Sequence, residues 1–247
     1  MNYPKRLIEV DLPIKRISEH ARREKAIRHG HISTLHIWWA RRPLAACRAV
    51  ICAALWPDPA DDNCPAVFRT VAFKEMQAWT SHDRQATLSA ISRERFEKAR
   101  RNPAIFKDPV QIRGAMLDFI ADFANWDNST NADFIATSRA LTIAAHEGLG
   151  GERGRKPVVA DPFAGGGSIP LEALRVGAEA FASDLNPVAV LLNKVILEYI
   201  PQHGQELAEE LRKAGEWIKS AAEKQLREFY PADSEGSPPI AFIWART

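Results

Sequence analysis

VVADPFAGGGSIPLEALRVGAEAFASDLNP, residues 158–187, has the pattern of a β-α-β unit. The apolar run at 158–161 predicts a strand, and the glycines after it predict a tight loop. A helix is expected at 169–176 and a second strand at 180–184. Strands joined by a crossover helix pair in parallel, with a right-handed connection. Both strands therefore end, each at an aspartate, on the same edge of the sheet.

The chain as a whole divides into three predicted segments. The middle segment contains a stripe of apolar residues at helical spacing, which predicts a helix that faces the core. This stripe in the middle segment consists of Ile112, Met116, Phe119, Ile120 and Phe123. In the first segment, a helix is expected to start at Pro43 and to end at Trp56-Pro57. The segments are a basic block at 1–60, a helical region at 65–148 with breaks at 101–103 and 127–129, and residues 149–247, which hold the β-α-β unit, helices at 187–199 and 204–230 and a last strand at 238–247.

The glycine loop and the two aspartates predict a nucleoside site at the strand ends. Gly165, Gly166 and Gly167 carry no side chains, so a ligand can approach their backbone closely. The helix that follows offers free N–H groups at its start. The carboxylate of Asp184 can accept hydrogen bonds from both hydroxyls of a ribose. We therefore expect an adenosine-containing cofactor here, rather than glycines that only make a tight turn.

The residues around the glycines exclude two common nucleotide motifs. A dinucleotide fingerprint needs a glycine where Pro170 stands, and a phosphate-binding loop of the P-loop type needs a lysine after the glycines. The opening Asp161-Pro162-Phe163 belongs to neither motif. It fits S-adenosylmethionine, which has no phosphates and carries a cationic amine that Asp161 can face.

Two motifs of this stretch carry a resemblance to a known family. "DPFAGGGSIPLEA" resembles the cofactor motif of the amino-methyltransferases that act on adenine or cytosine of DNA, and "SDLNPVAVLLNK" is similar to the motif that follows it. The resemblance implies an α/β fold, namely the β-α-β cofactor-binding half of a Rossmann-like methyltransferase, here with an N-terminal basic block and a helical insertion. The family usually has serine where Gly166 stands. The resemblance assigns Asp161, Phe163, Gly165 and Gly167 to the methionine side of the cofactor, Asp184 to its ribose and Asn186 to its adenine ring.

A second resemblance covers the N-terminal block. "LPIKRISEHARREKAIRHGHISTLHIWWARRPLAACRAVICAALWPDP" resembles the first block of the bacterial adenine-specific DNA methylases with a zinc ribbon, a block that is known as a domain of unknown function. The final "IWART" is similar to the sequence that precedes the zinc-ribbon cysteines in that family. Many amino-methyltransferases close the cofactor pocket with a His…Lys-Pro segment that opens a helix. Arg42 and Pro43 stand where Lys-Pro would be, which implies that they, with Trp39, form a wall of the pocket.

Charge is unevenly distributed along the chain. The net charge is +2, yet residues 1–60 hold eleven Lys and Arg against five Asp and Glu, an excess of six positive charges. A basic block attracts polyanions, so DNA is the expected partner, although a solvated basic face with no ligand has the same composition.

Composition gives the remaining expectations. No run of residues is long and apolar enough for a membrane span, and the N-terminus has no secretory signal, so we expect a cytoplasmic protein without a membrane partner. Cys47, Cys52 and Cys64 form no pair and are expected to be buried free thiols. Arginines beside the cluster of His29, His31 and His36 would repel a cation, so no metal is expected.

The sequence lacks the catalytic motif that the resemblance calls for. Amino-methyltransferases use [DNS]-P-P-[YFW] to accept the hydrogens of the target amine and to stack on a flipped base. The nearest string is Ser237-Pro238-Pro239-Ile240, in which Ile240 cannot stack, so no catalytic residue is assigned. We expect a cofactor-binding portion that is inactive alone and that works with a downstream catalytic fragment carrying the zinc ribbon. The alternatives are part of an RNA methyltransferase and a non-enzymatic nucleic-acid-binding accessory subunit.

Overall fold

A computed structural model describes residues 3–27, 29–81 and 87–229 of the chain. The chain forms two units, Met1–Leu197 and Glu198–Thr247. The first unit contains α1 (Leu7–Val10), α2 (Ile14–Ala26), α3 (Leu44–Leu55), α4 (Ala66–Ser81), α5 (Ala90–Arg101), α6 (Pro109–Ala124), α7 (Ala132–Gly148), β1 (Val158–Asp161), α8 (Ser168–Val176), β2 (Glu179–Ala182) and α9 (Pro187–Lys194). A π-helical turn (Val195–Tyr199) follows α9, and the second unit contains α10 (Ile200–Leu226).

Side-chain caps set the ends of the helices in the middle segment. The Asp108 side chain accepts a hydrogen bond from the Val110 backbone N–H at the start of α6, where Pro109 takes the first helical position. Asn131 caps α7 in the same way. The predicted breaks in the helical region are confirmed, because 3-10 turns lie at Pro103–Lys107 and Trp126–Asn128. The helix expected to start at Pro43 starts one residue later, with Pro43 as its N-cap.

Aromatic side chains dominate the core of the first unit. Trp79 from α4 packs edge-on against Phe96 and Phe119, with ring centroids 4.7 and 5.4 Å apart. Phe119 stacks on Phe134 of α7 at 5.0 Å. Such pairs add to the stabilisation that burial alone provides. All five residues of the predicted apolar stripe in α6 are buried, which confirms that this helix faces the core. The three cysteines are buried free thiols, as expected.

The β-α-β unit is confirmed as a parallel pair. β1 and β2 pair in register from Val158 opposite Glu179 to Asp161 opposite Ala182, and α8 connects them. β1 has its predicted bounds, but β2 ends at Ala182, two residues before the predicted end. α8 ends at Gly177, whose φ of +99° favours glycine, and a Cβ there would lie 2.9 Å from the Cα of Arg139.

The sheet has one packed and one exposed face. Val159 and Ala180 pack against the core, while Val158 and Phe181, on the other face, are exposed. Within the described residues the sheet has two strands. The strand predicted at 238–247 lies outside the described residues, and the completion of a Rossmann-like sheet stays a prediction.

A buried ion pair joins the N-terminal block to the β-α-β unit. Arg48 of α3 donates from Nε to Oε2 of Glu172 in α8 at 2.6 Å, and their side chains are 1% and 0% exposed. Arg175 also contacts Glu172, at 3.1 Å. The arginines donate in addition to backbone carbonyls, Arg48 to Phe123 and Arg175 to Ser129. Each of the three charged groups, Arg48, Glu172 and Arg175, therefore has partners within the chain.

In the second unit, α10 is a charged amphipathic helix, as predicted at 204–230, but it begins at Ile200. Its backbone departs from helical angles at Gly204, where φ is +50°. The division of the chain into segments at 1–60, 65–148 and 149–247 stays a prediction.

Glu172→Gln should lower the free energy of unfolding by about 3–5 kcal/mol, because it leaves Arg48 and Arg175 buried without a countercharge. The matched control is Glu152→Gln, which removes an exposed pair with Arg155 and should change stability by at most about 1 kcal/mol. Urea denaturation followed by tryptophan fluorescence measures both. Equal stability of the two variants would contradict a structural role of the buried pair.

Candidate functional site

The glycine loop lies between the end of β1 and the start of α8. Gly165 and Gly167 have φ of +50° and +76°, a region that disfavours other residues. The loop is held to the strands by hydrogen bonds from the Ala164 N–H to the Ser183 carbonyl at 3.0 Å and from the Ser183 N–H to the Asp161 carbonyl at 3.0 Å. The ends of the two strands and the loop thus form one hydrogen-bonded edge.

Asp184 contacts the glycine loop directly. Its Oδ2 accepts from the Gly165 backbone N–H at 2.8 Å, and its Oδ1 accepts from the Asn186 N–H at 2.9 Å. The N–H groups of Asn186 and Gly165 lower the pKa of the Asp184 carboxyl, so it is an anion at neutral pH. Each carboxylate oxygen has two acceptor positions, which leaves one on each oxygen for a further donor. β2 ends at Ala182, two residues before Asp184.

The other acid of the edge, Asp161, closes a local turn. Its Oδ1 accepts from the Phe163 N–H at 3.1 Å. The Phe163 ring points outward and is exposed, as is Leu185 beside Asp184. The structure thus brings Asp161, Phe163 and Asp184 together at a solvent-accessible edge. Asn186 caps α9 by accepting from the Val188 N–H at 2.9 Å. Its assignment to an adenine ring stays a prediction.

Asn193 is a residue of this site that sequence reasoning missed. Its Nδ2 donates to the Gly165 carbonyl at 3.0 Å and to the Ala189 carbonyl at 2.8 Å, and the side chain is buried. A Cβ at Gly167 would lie 2.9 Å from Asn193 Oδ1. The sequence offered one signal for it. Asn193 is the single amide side chain in the apolar helix "PVAVLLNK", and a polar side chain that is buried needs hydrogen-bond partners.

Trp38, from the N-terminal block, packs on the glycine loop. A Cβ on Gly165 would lie 2.7 Å from Trp38 Nε1, and one on Gly166 would lie 3.2 Å from Trp38 Cβ. The absence of side chains at these glycines therefore serves close packing by Trp38. Trp39, expected at the pocket wall, stacks on Trp38 with ring centroids 4.2 Å apart, and its assignment to the wall stays a prediction.

Arg41 and Leu44, the neighbours of the predicted wall residues, line a small cavity behind the loop, together with Gly166 and Ser168. Its volume of about 20 Å³ suits a water molecule and is far below the roughly 300 Å³ of a ligand pocket. A nucleoside would therefore have to lie on the exposed edge of the site. Arg42 is exposed and Pro43 partly exposed, and neither lines this cavity.

The Cys47 thiol in the first turn of α3 is buried. Burial raises its pKa to about 12, nearby Glu172 adds to this effect, Arg42 opposes it and Asp161 raises it further. The assignment of Arg42 and Pro43 to the pocket stays a prediction.

Much of the positive charge in the N-terminal block is compensated within the chain. Arg16 pairs with Asp118 at 2.6 Å and with Asp122 at 2.9 Å, and Arg23 pairs with Asp127 at 2.8 Å. Together with Arg48, these arginines hold the block against the helical region. A polyanion would therefore contact only part of the excess positive charge that the sequence of residues 1–60 shows.

The histidines of the block differ in their surroundings. His31 is buried, with its ring centroid 3.7 Å from that of Trp126, and burial lowers its pKa. His29 and His36 are exposed. Among the described residues, no group of three or more His, Cys, Asp or Glu side chains is placed to hold a metal ion. Over the same residues, no helix is long and apolar enough to cross a membrane.

Two family models match parts of this chain. Residues 11–96 match a family described as protein of unknown function (DUF1156), which confirms that the N-terminal block resembles a domain of unknown function. Its place in methylases with a zinc ribbon stays a prediction. That match runs past residue 60 into α5. Residues 151–234 match the D12 class N6 adenine-specific DNA methyltransferases. No curated protein and no solved structure matches the chain.

The second match covers the glycine loop, Asp184, Asn186 and Asn193. This part of the chain is thus similar to a class of enzymes that transfer a methyl group to adenine in DNA. The match narrows the expected resemblance from adenine or cytosine to adenine. Neither family model includes a zinc ribbon in its description, and the zinc ribbon of a downstream fragment stays a prediction.

The Asp184 carboxyl should titrate below pH 3.8, the ordinary value for an aspartate. Because the folded pKa is lowered, its stabilising effect on the loop is fully present above about pH 4 and is lost as the pH falls through the folded pKa. Carbon-13 NMR of the carboxyl measures the midpoint, and the Gly165 amide shift should follow it. In Asp184→Asn that dependence should vanish. A midpoint at or above 3.8 would contradict the hydrogen bonds described here.

Proposed function

We propose that this chain is the cofactor-binding portion of an S-adenosylmethionine-dependent DNA adenine methyltransferase. The observation that carries the proposal is the Asp184–Gly165 hydrogen bond, which joins the two predicted cofactor motifs at the carboxyl ends of parallel strands. Ligands of open α/β sheets bind at this end of the strands. The same residues fall within the match to D12 class N6 adenine-specific DNA methyltransferases.

The donor set of the edge fits this cofactor. Asp184 is an anion whose oxygens each retain an acceptor position, which suits the two hydroxyls of a ribose. Asp161 supplies a second carboxylate for a cationic amine, and the exposed ring of Phe163 supplies an apolar surface near it. The glycine loop has no lysine after its glycines, unlike a phosphate-binding loop of the P-loop type.

Each residue of the edge has a distinct task in the proposed site. Asp184 would hold the ribose, Asp161 the methionine amine, and Asn193 would keep the Gly165 carbonyl in place from beneath. Bound S-adenosylmethionine supplies a methyl group on a positively charged sulfur. The chain's own part is to bind and orient this donor at an edge that DNA can reach.

Transfer to adenine also needs groups that accept the hydrogens of the target amine. The [DNS]-P-P-[YFW] motif that supplies them in amino-methyltransferases does not occur in this sequence. We infer that a further polypeptide segment, carrying this motif and the zinc ribbon, completes the enzyme. The exposed face of the β1–β2 sheet, at Val158 and Phe181, is a suitable place for it to pack.

The purified chain should bind S-adenosylmethionine with a dissociation constant on the order of micromolar, measured by isothermal titration calorimetry. Gly165→Val should abolish binding, since its side chain would meet Trp38 at a φ of +50°. Gly204→Val is the matched control, because Gly204 has the same φ with no atom within 4 Å. Asp184→Ala should weaken binding at least about tenfold through the lost ribose contacts. Unchanged affinity in Gly165→Val would place the ligand elsewhere, and no binding by a folded wild-type chain would favour the accessory-subunit alternative.

Methyl transfer from labelled S-adenosylmethionine to DNA should be absent with this chain alone. It should appear when a downstream polypeptide containing the [DNS]-P-P-[YFW] motif is added. Ala substitution of the aromatic residue in that motif is the control, and it should remove the activity again. Turnover by the isolated chain would contradict the proposed division of the enzyme.

A further inference from the structure

A tight turn at Trp38–Arg41 places a tryptophan side chain in solvent. The Arg41 backbone N–H donates to the Trp38 carbonyl at 3.2 Å, so Trp39 stands at the corner of the turn. Trp39 is 79% exposed. Leu35 and Ile37, just before it, are also exposed, at 54% and 82%, so Trp39 belongs to a group of exposed apolar side chains, and contiguous exposed apolar surface is typical of an interaction site.

Trp38 fixes the orientation of this exposed ring. Trp38 is only 8% exposed and packs on Gly165 and Gly166 of the glycine loop. Its ring stacks on that of Trp39 with an interplanar angle of 23°. One face of the Trp39 indole is therefore held against a buried ring, and the side away from Trp38 faces solvent. A ligand that stacked there would lie beside the loop without displacing Trp38.

The segment of the chain that contains Trp39 is positively charged. Residues 25–57 contain no aspartate or glutamate. Glu24, the acid just before them, is buried and accepts hydrogen bonds from the Leu44 and Ala45 N–H groups at the start of α3. Arg48 is compensated by Glu172, but Arg42 is exposed three residues from Trp39. The segment that carries Trp39 is thus basic, and its exposed Arg42 has a guanidinium group that suits a phosphate backbone.

We propose that Trp39 is a stacking platform for an unpaired base of nucleic acid, with Arg42 contacting the adjacent phosphates. Single-stranded nucleic acids bind proteins through this combination of exposed aromatic rings and a basic groove. The choice of nucleic acid rests on the proposed function, because an enzyme that methylates a base must hold that base unpaired near its methyl donor, either flipped from a duplex or in a single strand. The platform would hold the strand beside the glycine loop.

The test compares two fluorescein-labelled probes by fluorescence anisotropy. One is a single-stranded oligodeoxyadenylate about 16 nucleotides long, and the other is an abasic strand with the same number of phosphates. The wild-type chain should bind the base-containing strand more tightly. Trp39→Ala should weaken that binding about 5- to 150-fold, as for the loss of one stacked base, and leave binding of the abasic strand unchanged. Trp39→Phe should retain most of the affinity.

Two further variants distinguish the effect of base stacking on affinity from the effect of charge and from the effect of removing any exposed tryptophan. Arg42→Ala should weaken binding of both strands to the same extent and reduce the salt dependence of binding. Trp217→Ala is the matched control, because Trp217 in α10 is 71% exposed and has no assigned role. It should change neither affinity. Melting temperatures of all variants should match the wild type, since both tryptophans are exposed.

The proposal fails if the wild-type chain binds neither strand, if Trp39→Ala binds the oligodeoxyadenylate like the wild type, or if it loses affinity equally for both strands. Titration of the same variants with S-adenosylmethionine shows whether the platform or the proposed function has failed. Weaker cofactor binding by Trp39→Ala with unchanged strand binding would assign the ring to the cofactor and overturn the platform. Base-dependent strand binding through Trp39 in a chain that binds no cofactor would support the platform and contradict the proposed function.

Discussion

The buried pair between Arg48 and Glu172 is the interaction on which the rest of the first unit depends. It joins α3 of the N-terminal block to α8, the helix that begins at the glycine loop, and residues 124 positions apart supply it. Two charges without access to water are stable only when each is fully compensated. Arg175 and the carbonyls of Phe123 and Ser129 complete that compensation. The N-terminal block is thus part of the scaffold that places the loop.

The site itself is organised around Gly165, which is held from two sides. Asp184 accepts from its N–H and Asn193 donates to its carbonyl, while Trp38 covers the position of its missing side chain. Three elements distant in sequence therefore converge on one residue. A loop fixed in this way needs little reorganisation to bind a ligand, which is the general advantage of a preorganised site.

Local patterns predicted the parts of the molecule that local forces determine. The bounds of β1, the stripe in α6 and the breaks between helices follow from periodicity and capping residues, which the sequence displays directly. The end of β2 and the partner of Arg48 depend on contacts between distant segments, and no periodicity encodes them. Whether Trp38 or Trp39 packs on the glycine loop also depends on contacts between distant segments. They lie in a turn without a regular period, so only the tertiary packing decides which indole is buried.

The two-stranded sheet has a consequence for the order of assembly. A parallel pair of strands is not stable by itself, and here α8 and the core support it from one side only. Within the described residues, the outer edges of β1 and β2 have no neighbouring strand, so their backbone N–H and carbonyl groups can template another strand. The glycine loop is in place with these two strands, so it does not require a wider sheet. In a freshly made chain the open edges would be sites of misassociation, which pairing with any further strand would suppress.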